Sequence, residues 1–350
     1  MAPPLFVYTG KLTIFVPMKK SEFSFIDDIA KTFGALPHNG FEPIGDDCTV
    51  LDMGADALVI STDMLVEDVH FLRGASSAEE VGYKSLMVNL SDVAAMGATP
   101  TAVLLSLSLS EATQGEWVEG FMRGFYEGCA KYGVALVGGD TTASMNGLVI
   151  TISATGRAKK SDIAYRSGAK EHDLICITSN LGAAYMGLHL LEREKRVLKD
   201  VENPEPKFAG HEYLLERYLK PRARVNILDA LMEEGIKPTS MIDLSDGLAS
   251  DLRQICRSSQ CGARIYLERI PIARQTTELA EEMHIDPVIA ALNGGEDHEL
   301  MFTVPLEMQE KVMQLGLVDV IGHITREEAG VILVTPDGEG IALKAQAFDR

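Results

Sequence analysis

Two α/β domains are the fold class that the sequence predicts, and three observations lead to it. The chain has 350 residues, which is more than one hydrophobic core usually organises. Hydrophobic residues make up 46% of the chain and charged residues only 24%, so there is enough apolar surface to bury two cores. Apolar residues recur with the period of a strand and then of a helix, in alternation, along the whole chain.

The first half predicts a regular succession of elements. A helix over residues 25–33 ends at Gly34, because its apolar positions recur at helical spacing up to that residue. After it the pattern predicts strands over residues 57–61, 103–109, 134–137 and 148–154. Helices are predicted over residues 78–96 and 117–129. The helix of residues 78–96 is apolar except along one face, which carries Ser85, Asn89 and Asp92.

A polar and basic segment, residues 156–170, leads into the second half. We place the domain boundary there, with an extension at residues 1–17, an N-terminal domain at 18–157 and a C-terminal domain at 158–350. Beyond it the pattern predicts strands over residues 173–178, 241–244 and 299–304 and helices over residues 181–191 and 247–257. Residues 192–206 are charged and contain prolines, which is typical of a surface loop or lid.

The charge of the chain disfavours several kinds of partner. It has 32 Lys and Arg against 51 Asp and Glu, a formal net charge of −19, so nucleic acid and anionic membranes would be repelled. Its five cysteines are widely spread without a C-x-x-C pair, which indicates reduced thiols in a cytoplasmic protein. The apolar stretch near the start is interrupted at Gly10 and Lys11 and precedes the basic pair Lys19-Lys20, unlike a membrane span or a signal peptide. We expect the working domain to begin at Met18.

Five short acidic motifs contain the candidate functional residues. They are Gly45-Asp46-Asp47, Ser61-Thr62-Asp63, Asn89-Leu90-Ser91-Asp92, Gly138-Gly139-Asp140 and Asp243-Leu244-Ser245-Asp246. Four of the five are expected at strand ends or in loops, where open α/β sheets bind ligands. Clustered aspartates repel one another unless cations lie between them, and carboxylate and hydroxyl oxygens suit Mg²⁺. The set therefore predicts several magnesium ions, which a triphosphate needs during transfer.

Each motif taken singly has a simpler interpretation. An aspartate after a strand often caps a helix or forms a turn, and Asp246 before Gly247 suits that role. The sequence has no G-x-x-x-x-G-K-[ST] loop, no G-x-G-x-x-G after a strand and no protein-kinase catalytic loop. The standard nucleotide-binding folds are therefore disfavoured.

Seven stretches, in order, resemble the motifs of the thiamine-monophosphate kinase family. They include Gly45-Asp46-Asp47-Cys48, Ser61-Thr62-Asp63 with Val69-His70-Phe71, residues 88–98, residues 137–142, residues 166–170, residues 242–248 and Gly294-Gly295-Glu296-Asp297-His298-Glu299-Leu300. This family is part of the PurM-like group of ATP-using enzymes. The resemblance implies an α/β layered fold of two PurM-like domains, whose N-terminal sheets dimerise into a barrel.

The resemblance also implies roles for particular residues. The magnesium ions would be surrounded by Asp47, Ser61, Thr62, Asp63, Asp92, Asp140, Asp243 and Asp246. Among these, Asp63, Asp140 and Asp246 are the expected catalytic residues. ATP would contact Gly139, Asp140, Arg166 and Ser245, and the substrate would contact His70, Glu296 and Phe348. His298 stands where the family motif usually has Tyr, and the family's terminal His-Phe is absent after Phe348.

The implied reaction is transfer of the ATP γ-phosphoryl group to thiamine monophosphate in a homodimer, with thiamine diphosphate and ADP as products. The acceptor phosphate has a second pKa near ~6, so it is already ionised, and the obstacle is repulsion between two anions. Two alternatives stay open, namely another PurM-like ATP-dependent synthetase and a non-catalytic sensor of magnesium nucleotide. Selenophosphate synthetase would need a reactive Cys near the start, and the hydrogenase maturation protein a terminal Cys. Here the first cysteine is Cys48 and the last residue is Arg350.

Overall fold

The computed structural model of the chain describes residues 22–34, 36–197 and 207–345. The extension at residues 1–17, the expected start at Met18 and the substrate candidate Phe348 lie outside these ranges. In the described part of the chain the strands form two sheets, one of five strands and one of seven. No helix in these ranges combines the length and the apolar character that crossing a bilayer requires.

The N-terminal half forms the five-stranded sheet. Its elements are α1 (Glu22–Phe33), β1 (Thr49–Met53), β2 (Asp56–Val66), α2 (Ala78–Ala95), β3 (Thr99–Leu109), α3 (Glu116–Tyr132), β4 (Ala135–Ala143) and β5 (Val149–Lys159). The strand order is β1-β2-β5-β3-β4, with β3 and β4 parallel and the other neighbours antiparallel. As the alternation predicts, Val103, Leu105 and Leu107 of β3 are buried on one face.

Helices α2 and α3 cover that inner face. Helix α2 begins with a capping box, in which Ser77 and Glu80 satisfy each other's backbone N–H groups. The two helices approach closely at glycines, since a Cβ on Gly124 would lie 1.8 Å from the Glu79 carbonyl oxygen. Phe121 and Phe125 of α3 stack at 6.0 Å between ring centroids and fill the core beneath the contact.

Two strands of this sheet are longer than the sequence predicts. Strand β2 pairs with β5 along its whole length, from Asp56 to Val66, and β4 pairs with β3 as far as Ala143. The expectation that Asp63 and Asp140 follow strand ends is therefore wrong, because backbone pairing continues past both residues. The polar residues interrupt the apolar pattern but not the hydrogen-bonded ladder.

The C-terminal half forms the seven-stranded sheet. Its elements are β6 (Leu174–Thr178), α4 (Ala183–Val197), α5 (Glu212–Leu219), α6 (Val225–Glu233), β7 (Ser240–Asp243), α7 (Leu248–Ser259), β8 (Cys261–Tyr266), α8 (Arg274–Glu282), α9 (Pro287–Asn293), β9 (Leu300–Val304), α10 (Gln309–Leu315), β10 (Val318–Arg326), β11 (Val331–Val334) and β12 (Gly340–Ala342). The order is β12-β11-β8-β10-β6-β9-β7. One face packs on α7 and α9, and the other packs on α6 and α10.

Helix α2 joins the two halves. Its last turn places Ala94 and Ala95 in a buried cluster with Leu174 of β6 and Phe302 of β9. One helix therefore packs against the five-stranded sheet and also contributes to the core beside the seven-stranded sheet. The boundary at residue 157 stays a prediction; β5 ends at Lys159 and β6 begins at Leu174.

Candidate active site

Three aspartates from different elements converge between the two halves. Asp47 lies in the loop before β1, Asp92 in α2 and Asp243 at the end of β7. One carboxylate oxygen from each lies within 4.8 Å of the corresponding oxygens of the other two. Among the described residues this is a grouping whose spacing and chemistry could hold a metal ion.

Neighbouring hydroxyl and guanidinium groups orient these carboxylates. Ser61 of β2 donates a hydrogen bond to Asp92 Oδ2, and Ser91 Oγ donates one of 2.6 Å to Asp243 Oδ2. The Arg166 guanidinium meets Asp47 Oδ1 at 2.5 Å. The other oxygen of Asp47, Oδ2, is buried and has no hydrogen-bond partner in the described part of the chain. A buried carboxylate oxygen without a donor suits a cation, and a set of three carboxylates suits Mg²⁺.

The electrostatics of the cluster also favour a cation. Burial, together with the charges of Asp243 and Asp46, raises the pKa of Asp47 to about 7 overall, although Arg166 lowers it. Burial likewise raises the pKa of Asp92 well above its usual range, with the charges of Asp63, Asp243 and Asp47 adding to the effect. Without a cation, crowding therefore disfavours the ionised form of these groups.

Asp63 lies beside this cluster, whereas Thr62 does not. Burial and the charge of Asp243 raise the pKa of Asp63 to about 6, and its backbone N–H donates to Asn89 Oδ1 of α2 at 3.2 Å. Side chains alternate along a strand, so Thr62 points to the opposite face of β2 and donates to the Ile152 carbonyl at 3.1 Å. The structure thus brings Ser61 and Asp63 to the aspartates and turns Thr62 away.

Gly139 and Asp140 lie apart from the cluster within one chain. They belong to β4, an exposed edge strand three positions from β2, or about 14 Å across the sheet. Asp140 pairs with Ser106 on the face away from α2 and α3. Gly139 lets β4 lie close to β3, because a Cβ there would be 1.7 Å from the Leu105 carbonyl oxygen.

The loop after β7 places Ser245 and Asp246 next to the cluster. Both are exposed, and they lie two and three residues after Asp243. The simpler interpretation of Asp246 as a helix cap is wrong, since Gly247 is the N-cap of α7. Instead Asp251 accepts hydrogen bonds from the backbone N–H groups of Asp246 and Gly247, at 3.2 and 3.1 Å. The turn therefore leaves Asp246 exposed to solvent beside the aspartate cluster.

Two of the predicted substrate residues, His70 and Glu296, both contact Lys84 of α2. His70 Nδ1 accepts a hydrogen bond of 3.0 Å from the Val66 N–H, which fixes the ring in the loop after β2. Glu296 forms an ion pair of 2.7 Å with Lys84. His298 Nδ1 lies 3.4 Å from Asp243 Oδ2, and although burial lowers its pKa, Asp243 and Glu296 raise it to about 9 overall. Glu296 and Asp243 thus share His298 as a cationic neighbour.

Lys84 is the functional candidate that the sequence interpretation missed. It lies in α2 four residues after Glu80, a spacing that normally indicates a surface ion pair. In the structure its side chain is 3% exposed and faces the C-terminal half. The signal that could have revealed it is a lysine flanked on both sides by buried apolar residues, such as Val81 and Leu86.

Comparison with known proteins agrees with this arrangement. The AIR synthase related protein family matches through its N-terminal domain at residues 45–158 and its C-terminal domain at residues 170–335. The thiamine-monophosphate kinase of Buchnera aphidicola subsp. Schizaphis graminum is 37% identical over 95% of this chain and 99% of its own length. That of Escherichia coli K12 is 37% identical over 88% of this chain and 91% of its own. A solved structure described as AaThiL complexed with AMPPCP and TMP superimposes with a TM-score of 0.79, at 30% identity, covering 93% of this chain and 96% of that one.

Proposed function

The chain belongs to the thiamine-monophosphate kinase family, and on that premise we propose that it phosphorylates thiamine monophosphate with ATP, giving thiamine diphosphate and ADP. The observation that carries the proposal is the cluster of Asp47, Asp92 and Asp243, with one buried carboxylate oxygen that lacks a hydrogen-bond donor. The superimposed relative complexed with AMPPCP and TMP supports both substrates. AMPPCP is an ATP analogue that cannot pass on its γ-phosphoryl group.

Asp47, Asp92 and Asp243 would hold magnesium, with Asp63 and Asp246 beside them. When bound, magnesium supplies charge neutralisation for two phosphate groups that would otherwise repel each other. The acceptor phosphate is already ionised near neutral pH, so the residues need not remove a proton from it. Their task is to bring the two anions together in line.

Arg166 is the residue best placed to meet the ATP phosphates. Its guanidinium contacts Asp47 at 2.5 Å, and its backbone N–H donates to Asp46 at 3.1 Å, so the side chain is held at the edge of the carboxylate cluster. A guanidinium in that position can bind phosphate oxygens in a fork. The other proposed ATP contacts are Ser245, in the exposed turn after β7, and Gly139 and Asp140 on β4.

His70, Glu296 and Phe348 are the proposed contacts of thiamine monophosphate. Burial opposes the ionisation of Glu296, but the charges of Lys84 and His298 outweigh it and hold its pKa well below the usual range. An ionised carboxylate accepts hydrogen bonds from amino groups and attracts a cation, and the thiamine moiety offers both.

We also propose a homodimer formed through the N-terminal sheets, in the cytoplasm. The face of the five-stranded sheet away from its helices exposes Leu104 of β3, and the edge strand β4 exposes Leu136 and Val137, with fractional exposures of 46%, 44% and 64%. A second copy would cover this apolar patch and the unpaired edge of β4. Gly139 and Asp140 also lie on the edge strand β4. In the proposed dimer they would therefore contact ATP and metal at the interface between the two subunits. The five free cysteines support a reducing compartment.

The test is direct conversion of thiamine monophosphate by the purified protein. Thiamine diphosphate should form only with ATP and a magnesium salt. Asp243→Asn should lower kcat by about a hundredfold or more, because one carboxylate of the metal site is lost. Asp319→Asn, an exposed aspartate on β10, is the matched control and should leave kcat unchanged. ADP production without thiamine diphosphate, or an unaffected Asp243→Asn variant, would reject the proposal.

A further inference from the structure

Lys84 is a buried ammonium group at the junction of the two halves. Its side chain is 3% exposed, and a buried charge is costly unless partners compensate it. Three partners from three separate elements do so. Lys84 Nζ lies 2.7 Å from Glu296 Oε2, 3.5 Å from the His70 carbonyl oxygen and 3.6 Å from the centre of the Tyr218 ring.

Tyr218 of α5 completes the junction. Its ring accepts the ammonium group on its face, and its hydroxyl donates a hydrogen bond of 3.1 Å to the same His70 carbonyl oxygen. The ring is nearly fully buried, so the contact is shielded from water. Lys84 and Tyr218 therefore both fix the backbone of the loop that carries His70.

Lys84 also binds a loop whose backbone adopts an unfavourable conformation. Glu296 and His298 have φ angles of 64° and 49°, in the left-handed region that residues other than glycine rarely adopt. The Glu296 N–H donates to the Ser245 carbonyl at 2.8 Å. The ion pair with Lys84 additionally holds the Glu296 side chain in place. The Glu296 side chain is still 31% exposed, so its carboxylate remains accessible to a ligand.

We propose that Lys84 is a positioning residue, assisted by Tyr218, that sets the spacing between the His70 loop and Glu296 and thereby the affinity for the thiamine moiety. The inference rests on the proposed function, since His70 and Glu296 are its substrate contacts. Lys84 itself is too deeply buried to touch either substrate. It acts through the carboxylate that it orients and the carbonyl oxygen that it binds.

The test separates binding of thiamine monophosphate from binding of ATP. Lys84→Met removes the charge at similar volume, and we expect KM for thiamine monophosphate to rise about tenfold or more, the equivalent of one charge-assisted hydrogen bond. KM for ATP should stay within about twofold, because Lys84 contacts none of the residues assigned to ATP. Lys84→Arg keeps the charge and should recover part of the lost affinity.

Two conservative pairs make the test independent of folding defects. Tyr218→Phe keeps the ring and removes only the hydrogen bond to His70, so KM for thiamine monophosphate should rise about threefold to tenfold. Tyr132→Phe is its control, because the Tyr132 hydroxyl also donates to a backbone carbonyl, that of Ala223, at 3.1 Å. Lys131→Met is the control for Lys84, since Lys131 binds the Tyr83 hydroxyl at 2.9 Å on the surface of α3. Both controls should leave both KM values unchanged.

Each result decides between distinct conclusions. Equal increases in both KM values, or a lower kcat with unchanged KM, would show that Lys84 only supports the fold and would overturn the inference. If Lys84→Met does not fold, an unchanged KM in Tyr218→Phe would overturn it instead. A wild-type protein that forms no thiamine diphosphate and binds no thiamine monophosphate in a calorimeter would reject the proposed function itself.

Discussion

At the scale of single residues, the site is a group of acids that raise one another's pKa. Asp47, Asp63 and Asp92 lie close enough that burial and mutual repulsion disfavour their ionised forms. Arg166 beside Asp47 and His298 beside Asp243 compensate part of this charge. The arrangement is therefore suited to a divalent cation and is less favourable without one.

This repulsion predicts a particular pH dependence of stability. The folded pKa values of Asp63 and Asp47, about 6 and about 7, are raised above the unfolded value. Such groups stabilise the fold below the unfolded pKa of about 3.9, and this stability is lost as the pH rises through the folded values. Without metal, the free energy of unfolding should fall between about pH 5 and about pH 8, and magnesium should raise the melting temperature more at the higher pH.

Scanning calorimetry with and without magnesium at the two pH values measures this. In Asp243→Asn one carboxylate of the cluster is neutral, so the metal-free protein should be more stable than wild type at the higher pH and should respond less to magnesium. Asp319→Asn should behave as wild type. A magnesium response that is the same at both pH values would contradict the account.

The sequence predicts this cluster better than it predicts its surroundings. Asp47, Asp92 and Asp243 could be identified because each lies in a short acidic motif, and the structure brings them together. Asp140 could not be placed, because strand pairing sets which face of the sheet it occupies. Lys84 was missed because its partners lie 14 residues before it at His70 and far along the chain at Glu296. Local patterns do not specify such distant contacts.

At the scale of elements, glycines set how α2 and α3 pack. The carbonyl oxygen of Glu79 occupies the space where a side chain at position 124 would begin. The sequence predicts both helices from their apolar spacing, but it does not show that their backbones touch. The position of α2 on the sheet depends on that contact, and α2 carries Lys84, Ser91 and Asp92.

Adding one methyl group at this contact should therefore reduce stability and activity together. Gly124→Ala would place a Cβ 1.8 Å from the Glu79 oxygen, so α3 must shift, and we expect a loss of about 1–3 kcal/mol or more in the free energy of unfolding. Urea denaturation measures the loss. Gly74→Ala is the control, since a Cβ there meets no atom within 4 Å. Equal stability of the two variants would show that α2 and α3 can separate without cost.

At the scale of the whole molecule, the exposed face of the five-stranded sheet predicts self-association. Val137 on β4 is 64% exposed beside Leu104 and Leu136, whereas Met313 on α10 is 59% exposed in the C-terminal half. Val137→Glu should convert a dimer to a monomer, because burying two unpaired carboxylates at a symmetric contact is costly. Light scattering after size-exclusion chromatography measures the mass.

Met313→Glu provides the matched comparison, with the same change at a similarly exposed site. It should leave the dimer intact. If both variants remain dimers, the N-terminal sheets are not the contact surface; if the unmodified protein is a monomer, the dimer itself is excluded.

The last turn of α2 has a consequence for mutations far from the chemistry. Ala94 and Ala95 are fully buried against the C-terminal half, only two and three residues after Asp92. A larger side chain at either alanine would push the helix away from β7 and separate Ser91 from Asp243. A random search for inactive variants should therefore recover changes at these two alanines, although neither carries a functional group.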